Sequence, residues 1–119
     1  MSFHVANIGD VAVVECEGRI VQTDAVFKLR EAVTAQTDTH FVVLDLSEVC
    51  AIEGAGVGTL MFLQRWAQDR GIRFKLFNPS GAVRNQLEHV SSKSDFDIVS
   101  LDEIMALLAR ADRRHALAA

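Results

Sequence analysis

The residues whose spacing is most suggestive of chemistry lie between Ala51 and Leu60, in the run AIEGAGVGTL. One acid, Glu53, precedes Gly54, Gly56 and Gly58, and an apolar run follows. Glycines at a helix start let backbone N–H groups approach an anion, so phosphate binding is the first chemistry to consider. The stricter patterns are not met. A Walker-type loop needs GxxxxGK followed by Ser or Thr, and the chain has no such match. A dinucleotide loop needs GxGxxG after the first strand of a βαβ unit, with an acid about 20 residues further on. Gly54, Gly56 and Gly58 give GxGxG, after the third strand of a short chain. A nucleotide- or anion-binding domain is therefore kept only as an alternative, resting on the free N–H groups of a helix start.

Other reactive types are scattered. Asp45 closes the apolar run FVVLDL, where a receiver domain keeps its phosphoaccepting Asp. A receiver also needs an acidic pair after its first strand and a lysine after a late one. Glu15 and Glu17 follow the second strand, and Lys93 lies in a Ser-rich loop, Ser91 to Asp95, which reads as plain surface. The Asp45 carboxylate is expected instead to accept backbone N–H groups of the turn that follows. Cys16 and Cys50 form no CxxC and read as a pair of buried cytosolic thiols. His4, His40, His89 and His115 share no metal-ligand spacing with each other or with a cysteine, so neither a metal nor a cofactor is expected. No Ser-His-Asp or Cys-His set stands at motif spacing, and the expectation is a protein that is not an enzyme. Arg110, Arg113 and Arg114 suit a helix C-terminus, and without a basic stripe nucleic acid is not an expected partner.

The elements that must position these residues follow from composition and period. With 119 residues, half of them hydrophobic, and a net charge of −4, one globular domain over 1–119 is expected. No apolar run reaches membrane-spanning length and the N-terminus has no signal-peptide pattern, so a cytoplasmic location is expected. Phe3 and Val5 alternate with His4 and Ala6, Gly9-Asp10 turns the chain, and Val11 to Cys16 is rich in β-branched residues, which predicts an antiparallel hairpin ended by Gly18. Thr23 or Asp24 caps a helix with Ala25, Val26, Leu29, Ala32 and Val33 on one stripe. Phe41 to Leu46 is apolar on both faces, as in the centre of a parallel sheet. A helix then runs to Gly71, a strand spans Arg73 to Phe77, and Ser80 caps a helix carrying Val83, Leu87 and Val90. Phe96 to Val99 is a short strand, and a last helix turns Leu101, Ile104, Leu108 and Ala111 inward. The order β-β-α-β-α-β-α-β-α means an α/β fold with a mostly parallel sheet and helices packed on it.

On the helix after the glycine turn, a rotation of about 100° per residue puts Gly56, Thr59, Leu60, Leu63, Trp66 and Ala67 on the core face, with Phe62 at its margin. Val57 and Met61 fall on the other side with Gln64, Arg65 and Gln68. Together with Gly54, Ala55 and Gly58 they would form a bare backbone beside a small apolar patch, a surface that another protein can approach closely. The competing reading is that Val57 and Met61 are covered by the chain itself.

The chain resembles the STAS domain, the fold of anti-sigma-factor antagonists and sulfate-transporter tails. Four segments carry the resemblance in order: ECEGRIV, FVVLDLSEV, IEGAGVGTL and KLFNPSGAVRNQLEHV. In the third, the family writes an apolar residue, then Asp-Ser-Ser-Gly or Asp-Ser-Thr-Gly, then Leu-Gly. Glu53 stands at the Asp position, and Gly54 and Ala55 stand at the two hydroxyl positions. In phosphoregulated antagonists a serine of this turn receives phosphate, adding about −1.5 to −2 charge. Neither Gly54 nor Ala55 has an oxygen to receive it. Glu53 is no phosphomimic, because it occupies the Asp position. Phosphate could be accepted instead by another hydroxyl, such as Thr59, Ser47 or Ser80, with Thr59 expected in the core. The resemblance implies a non-catalytic bacterial signalling module, involved in transcription regulation. It would bind an anti-sigma kinase-like protein, or a larger signalling or transport complex, through Glu53, Gly54, Ala55, Val57, Gly58 and Met61. Asp45 would support the turn, and no phosphorylation switch would operate within it.

Overall fold

The computed structural model of the chain describes residues 2–20, 23–90 and 96–118, with side chains except at 23, 24, 90 and 112–118. A hairpin of β1 (Ser2–Ile8) and β2 (Val11–Ile20) leads into α1 (Thr23–Thr34). Then come β3 (Phe41–Ile52), α2 (Gly54–Asp69), β4 (Arg73–Phe77), α3 (Gly81–Val90), β5 (Asp97–Val99) and α4 (Leu101–Ala118). The five strands form one sheet in the order β1-β2-β3-β4-β5. Only the β1–β2 pairing is antiparallel, and the other three are parallel.

The strand period divides the core in two. On one face Ala12, Val14, Cys16, Val42, Leu44 and Leu76 meet α1, α2 and α3 through Leu29, Val33, Leu60, Leu63, Val83 and Leu87. On the other, Val11, Val43 and Val99 meet α4 alone, through Ile104, Leu107 and Ala111. The strand FVVLDL is apolar on both faces because helices cover both.

Several expectations about boundaries are corrected. Gly18 does not end β2. It adopts φ 103°, open to glycine, and register shifts on both sides of it let β2 bend and run on to Ile20. β3 follows that bend, pairing as far as Ile20↔Ile52, so it passes Leu46 by six residues. On α4 the inward set is Ile104, Leu107 and Ala111, with Leu108 half-buried and Leu101 62 % exposed. The reason is a cap. Ser100 Oγ accepts the Glu103 N–H at 3.2 Å while Ser100 Oγ donates to Glu103 Oε1 at 3.3 Å, which makes Leu101 the first helical residue and turns it out. Cys16 is buried as expected, but Cys50 is exposed, its Sγ donating to the Gly18 carbonyl at 3.5 Å. The capping side chains of Thr23 and Asp24, the loop 91–95 and the side chains of Arg113, Arg114 and His115 lie outside what the structure describes.

Candidate functional site

The glycine turn is held from below and open above. Glu53 is the N-cap residue of α2, extended at φ −115° and ψ 179°, and its side chain makes no capping bond. Its N–H donates to the Ile20 carbonyl at 3.3 Å, and its carbonyl accepts the Val57 N–H at 2.9 Å. The N–H groups of Gly54, Ala55 and Gly56 open the helix and have no intrahelical acceptor.

The three glycines do different things. A Cβ on Gly56 would lie 2.5 Å from the Ile20 carbonyl oxygen and 2.7 Å from Ile52 Cγ1, so only glycine lets α2 sit this low over the ends of β2 and β3. A Cβ on Gly54 or Gly58 would meet nothing within 4 Å. Both face outward, with Ala55 exposed between them.

Val57 departs from expectation. It is fully buried, together with Gly56, Thr59, Leu60, Leu63 and Ala67. The close approach at Gly56 sinks the first turn, so a residue at the margin of the core stripe is covered. Val57, placed with Met61 on the outer side, is thus covered by the chain itself, as the competing reading had it, whereas Met61 is 41 % exposed and Phe62, expected at the margin, is 43 % exposed. α2 packs between α1 and α3. The guanidinium of Arg30 on α1 stands 4.1 Å from the centre of the Phe62 ring, so Phe62 marks the α1 side of α2 and Val57 the opposite side. Phe27, one turn before Arg30, is 59 % exposed. Gly58, Met61, Phe62, Gln64, Arg65 and Gln68 line an open depression of about 510 Å³.

Sequence reasoning brought Glu53, Gly54, Ala55, Gly58 and Met61 to one surface, where they lie together. It missed Phe62, Phe27 and Arg30. The signal for Phe62 was its place at the margin of the core face, from which a side chain can turn to solvent. Nothing local to α1 marked Phe27 and Arg30, because their neighbourhood is set by helix packing.

Asp45 sits elsewhere. Its Oδ1 accepts the Ser47 N–H at 2.9 Å and the Ser47 hydroxyl at 2.5 Å, and Asn78 Nδ2 donates to Ser47 Oγ at 3.2 Å. Asn78 has φ 53°, a left-handed conformation at the exit of β4. Asp45 thus fastens the β4 exit, while β3 continues to Ile52 before the glycine turn begins. Asp45 also reaches Cys16 electrostatically. Burial, aided by the Asp45 charge, pushes the Cys16 thiol up to about 12, so it is protonated and inert. Of the other hydroxyls, Thr59 is buried and donates to the Ala55 carbonyl at 3.0 Å. Ser80 accepts the Val83 N–H at 3.4 Å as the cap of α3. Among the described residues no group of three or more His, Cys, Asp or Glu could hold a metal, and no helix is long and apolar enough to cross a membrane.

Known structures repeat this architecture. An anti-sigma factor antagonist from Mycobacterium paratuberculosis is 19 % identical, with a TM-score of 0.76 over 91 % of this chain and 93 % of that one. The unphosphorylated anti-sigma factor antagonist SpoIIAA is 18 % identical, with a TM-score of 0.73 over 89 % and 93 %. Part of the murine anion transporter Slc26a9 is 20 % identical, with a TM-score of 0.72 over 88 % of this chain and 18 % of the transporter. At these identities the likeness is one of fold. No curated protein matches the chain by sequence. The model of the STAS domain matches residues 2–108, and on that match the chain belongs to the STAS domain family.

Proposed function

We propose that this STAS domain is a non-catalytic binding module that captures a partner protein on the start of α2. The observation that carries the reading is the open space above Gly54 and Gly58 beside exposed Ala55, Met61 and Phe62. A partner's backbone can descend onto bare helix and bury apolar area at once. Arg30 beside Phe62 and Arg65 at the depression bring charge to this surface, and buried Val57 supports it from beneath instead of touching the partner. The partner class that fits the family is an anti-sigma kinase-like protein. With glycine and alanine at the family's hydroxyl positions, capture is constitutive at this turn, and any control by phosphate acts elsewhere.

Ala55→Arg tests the reading. The arginine stands in open solvent in the free protein, so the circular dichroism spectrum stays unchanged. Capture of the partner from lysate falls at least tenfold. Undiminished capture by a folded A55R protein would put the interface elsewhere.

The likeness to part of an anion transporter supports a second reading, in which the same surface docks within a larger transport assembly. A membrane complex co-purifying with the chain, in place of a kinase-like protein, distinguishes the two.

A further inference from the structure

The two edges of the sheet are unlike. β5 has three residues, Asp97–Val99, and carries an acid. Shortness and charge are ordinary protections of a sheet edge. β1 has seven residues, SFHVANI, with no Asp, Glu, Lys, Arg or Pro. Its register with β2 is unbroken from Ser2↔Glu17 to Ile8↔Val11. The two-residue turn Gly9-Asp10 makes Ile8 and Val11 a hydrogen-bonded pair, and such pairs alternate along an antiparallel ladder. Ser2, His4, Ala6 and Ile8 therefore bond to β2. The N–H and C=O groups of Phe3, Val5 and Asn7 point away from the sheet, and among the described residues no backbone bond beyond the ladder reaches them.

We infer that β1 pairs antiparallel with β1 of a second copy of this chain, about a two-fold axis at Val5. That register sets Val5 opposite Val5, Phe3 opposite Asn7 and His4 opposite Ala6. Every outward group finds its complement, giving roughly six new backbone hydrogen bonds. Residues opposite one another share a face of the sheet, so Phe3 and Val5 stay on the side of α1 and His4 and Ala6 on the side of α4. A second copy is the occupant because the seam is neutral and self-complementary. Two molecules of net charge −4 can meet along β1 without opposing like charges, as an isologous contact requires. α1 packs against β1 and β2 on one side and α2 on the other, so the seam lies away from the glycine turn.

Sedimentation from micromolar to millimolar concentration reads the association. The mass should rise from 13.1 kDa to twice that value. Asn7→Pro removes an outward N–H at an exposed position and leaves the β1–β2 ladder whole. It should weaken dimerisation at least tenfold. A wild-type chain that stays monomeric throughout, or an N7P dimer of unchanged affinity, overturns the inference. Amide exchange of the wild type gives a reading independent of how the variant folds. Protection of the Phe3, Val5 and Asn7 amides should rise at least tenfold with concentration. Concentration-independent exchange at these amides overturns it, leaving the edge to solvent or to a strand of another protein.

Discussion

Three glycines spaced two apart divide the work at the turn, and the division follows from the helix wheel. Gly56 faces the sheet and is wedged against the Ile20 backbone, while Gly54 and Gly58 face out. Gly56→Ala must push β2 and α2 apart, and a loss of about 1–3 kcal/mol is expected in denaturant unfolding. Gly58→Ala meets no neighbour and relieves a helical glycine, so a gain of about 0.5–1 kcal/mol is expected in the same measurement. The wheel placed Gly56 inward from sequence alone, but how closely it packs depends on Ile20, 36 positions earlier in the chain, which no local pattern reveals. For the same reason the sequence left Val57 open between an outward position and cover by the chain itself, and the structure has it buried. The buried Cys16 thiol supplies a second test. Its pKa rises from 9.0 to about 12 on folding, so below pH 9.0 both states hold the proton and the group leaves stability unchanged. Above that, only the unfolded thiol ionises. Stability should then fall by about 1.4 kcal/mol per pH unit up to the folded value. Thermal melts of wild type and Cys16→Ala between pH 8 and about 10.5 check it: the variant should lack this part of the alkaline decline.

At the scale of elements, the order of strands and helices was legible: alternation marked β1, the continuous apolar run FVVLDL marked a strand covered on both faces, and the helical period marked the helices. What stayed hidden were ends that depend on a neighbour. Polar Ser47 and Glu48 look like a turn, yet β3 continues through them because β2, bent at Gly18, continues beside it. On α4, the expected stripe began at Leu101, but the Ser100 cap starts the helix there and the buried stripe is Ile104, Leu107 and Ala111. The difference is measurable. Leu107→Ala should cost about 2–4 kcal/mol, since Leu107 packs against the sheet. Leu101→Ala should change stability by less than about 0.5 kcal/mol. Equal effects would mean that α4 is rotated from the arrangement described.

For the whole molecule, the layering decides which surfaces are available. α1, α2 and α3 cover one face of the sheet and α4 the other, so the bare start of α2 stands beside exposed Met61 and Phe62, with Arg30 of α1 over the Phe62 ring. That surface was only half legible: its α2 part follows from one helix, and its α1 part exists only once two helices pack. The central claim is that a partner lands there. Hydrogen exchange of the chain, free and bound to its captured partner, tests it most directly, because the first N–H groups of a helix exchange fast until something covers them. The account predicts slowed exchange over Gly54 to Phe62 on binding, with α4 from Leu101 to Ala111 unaffected. Protection on α4, with the α2 start exchanging as fast bound as free, would contradict it.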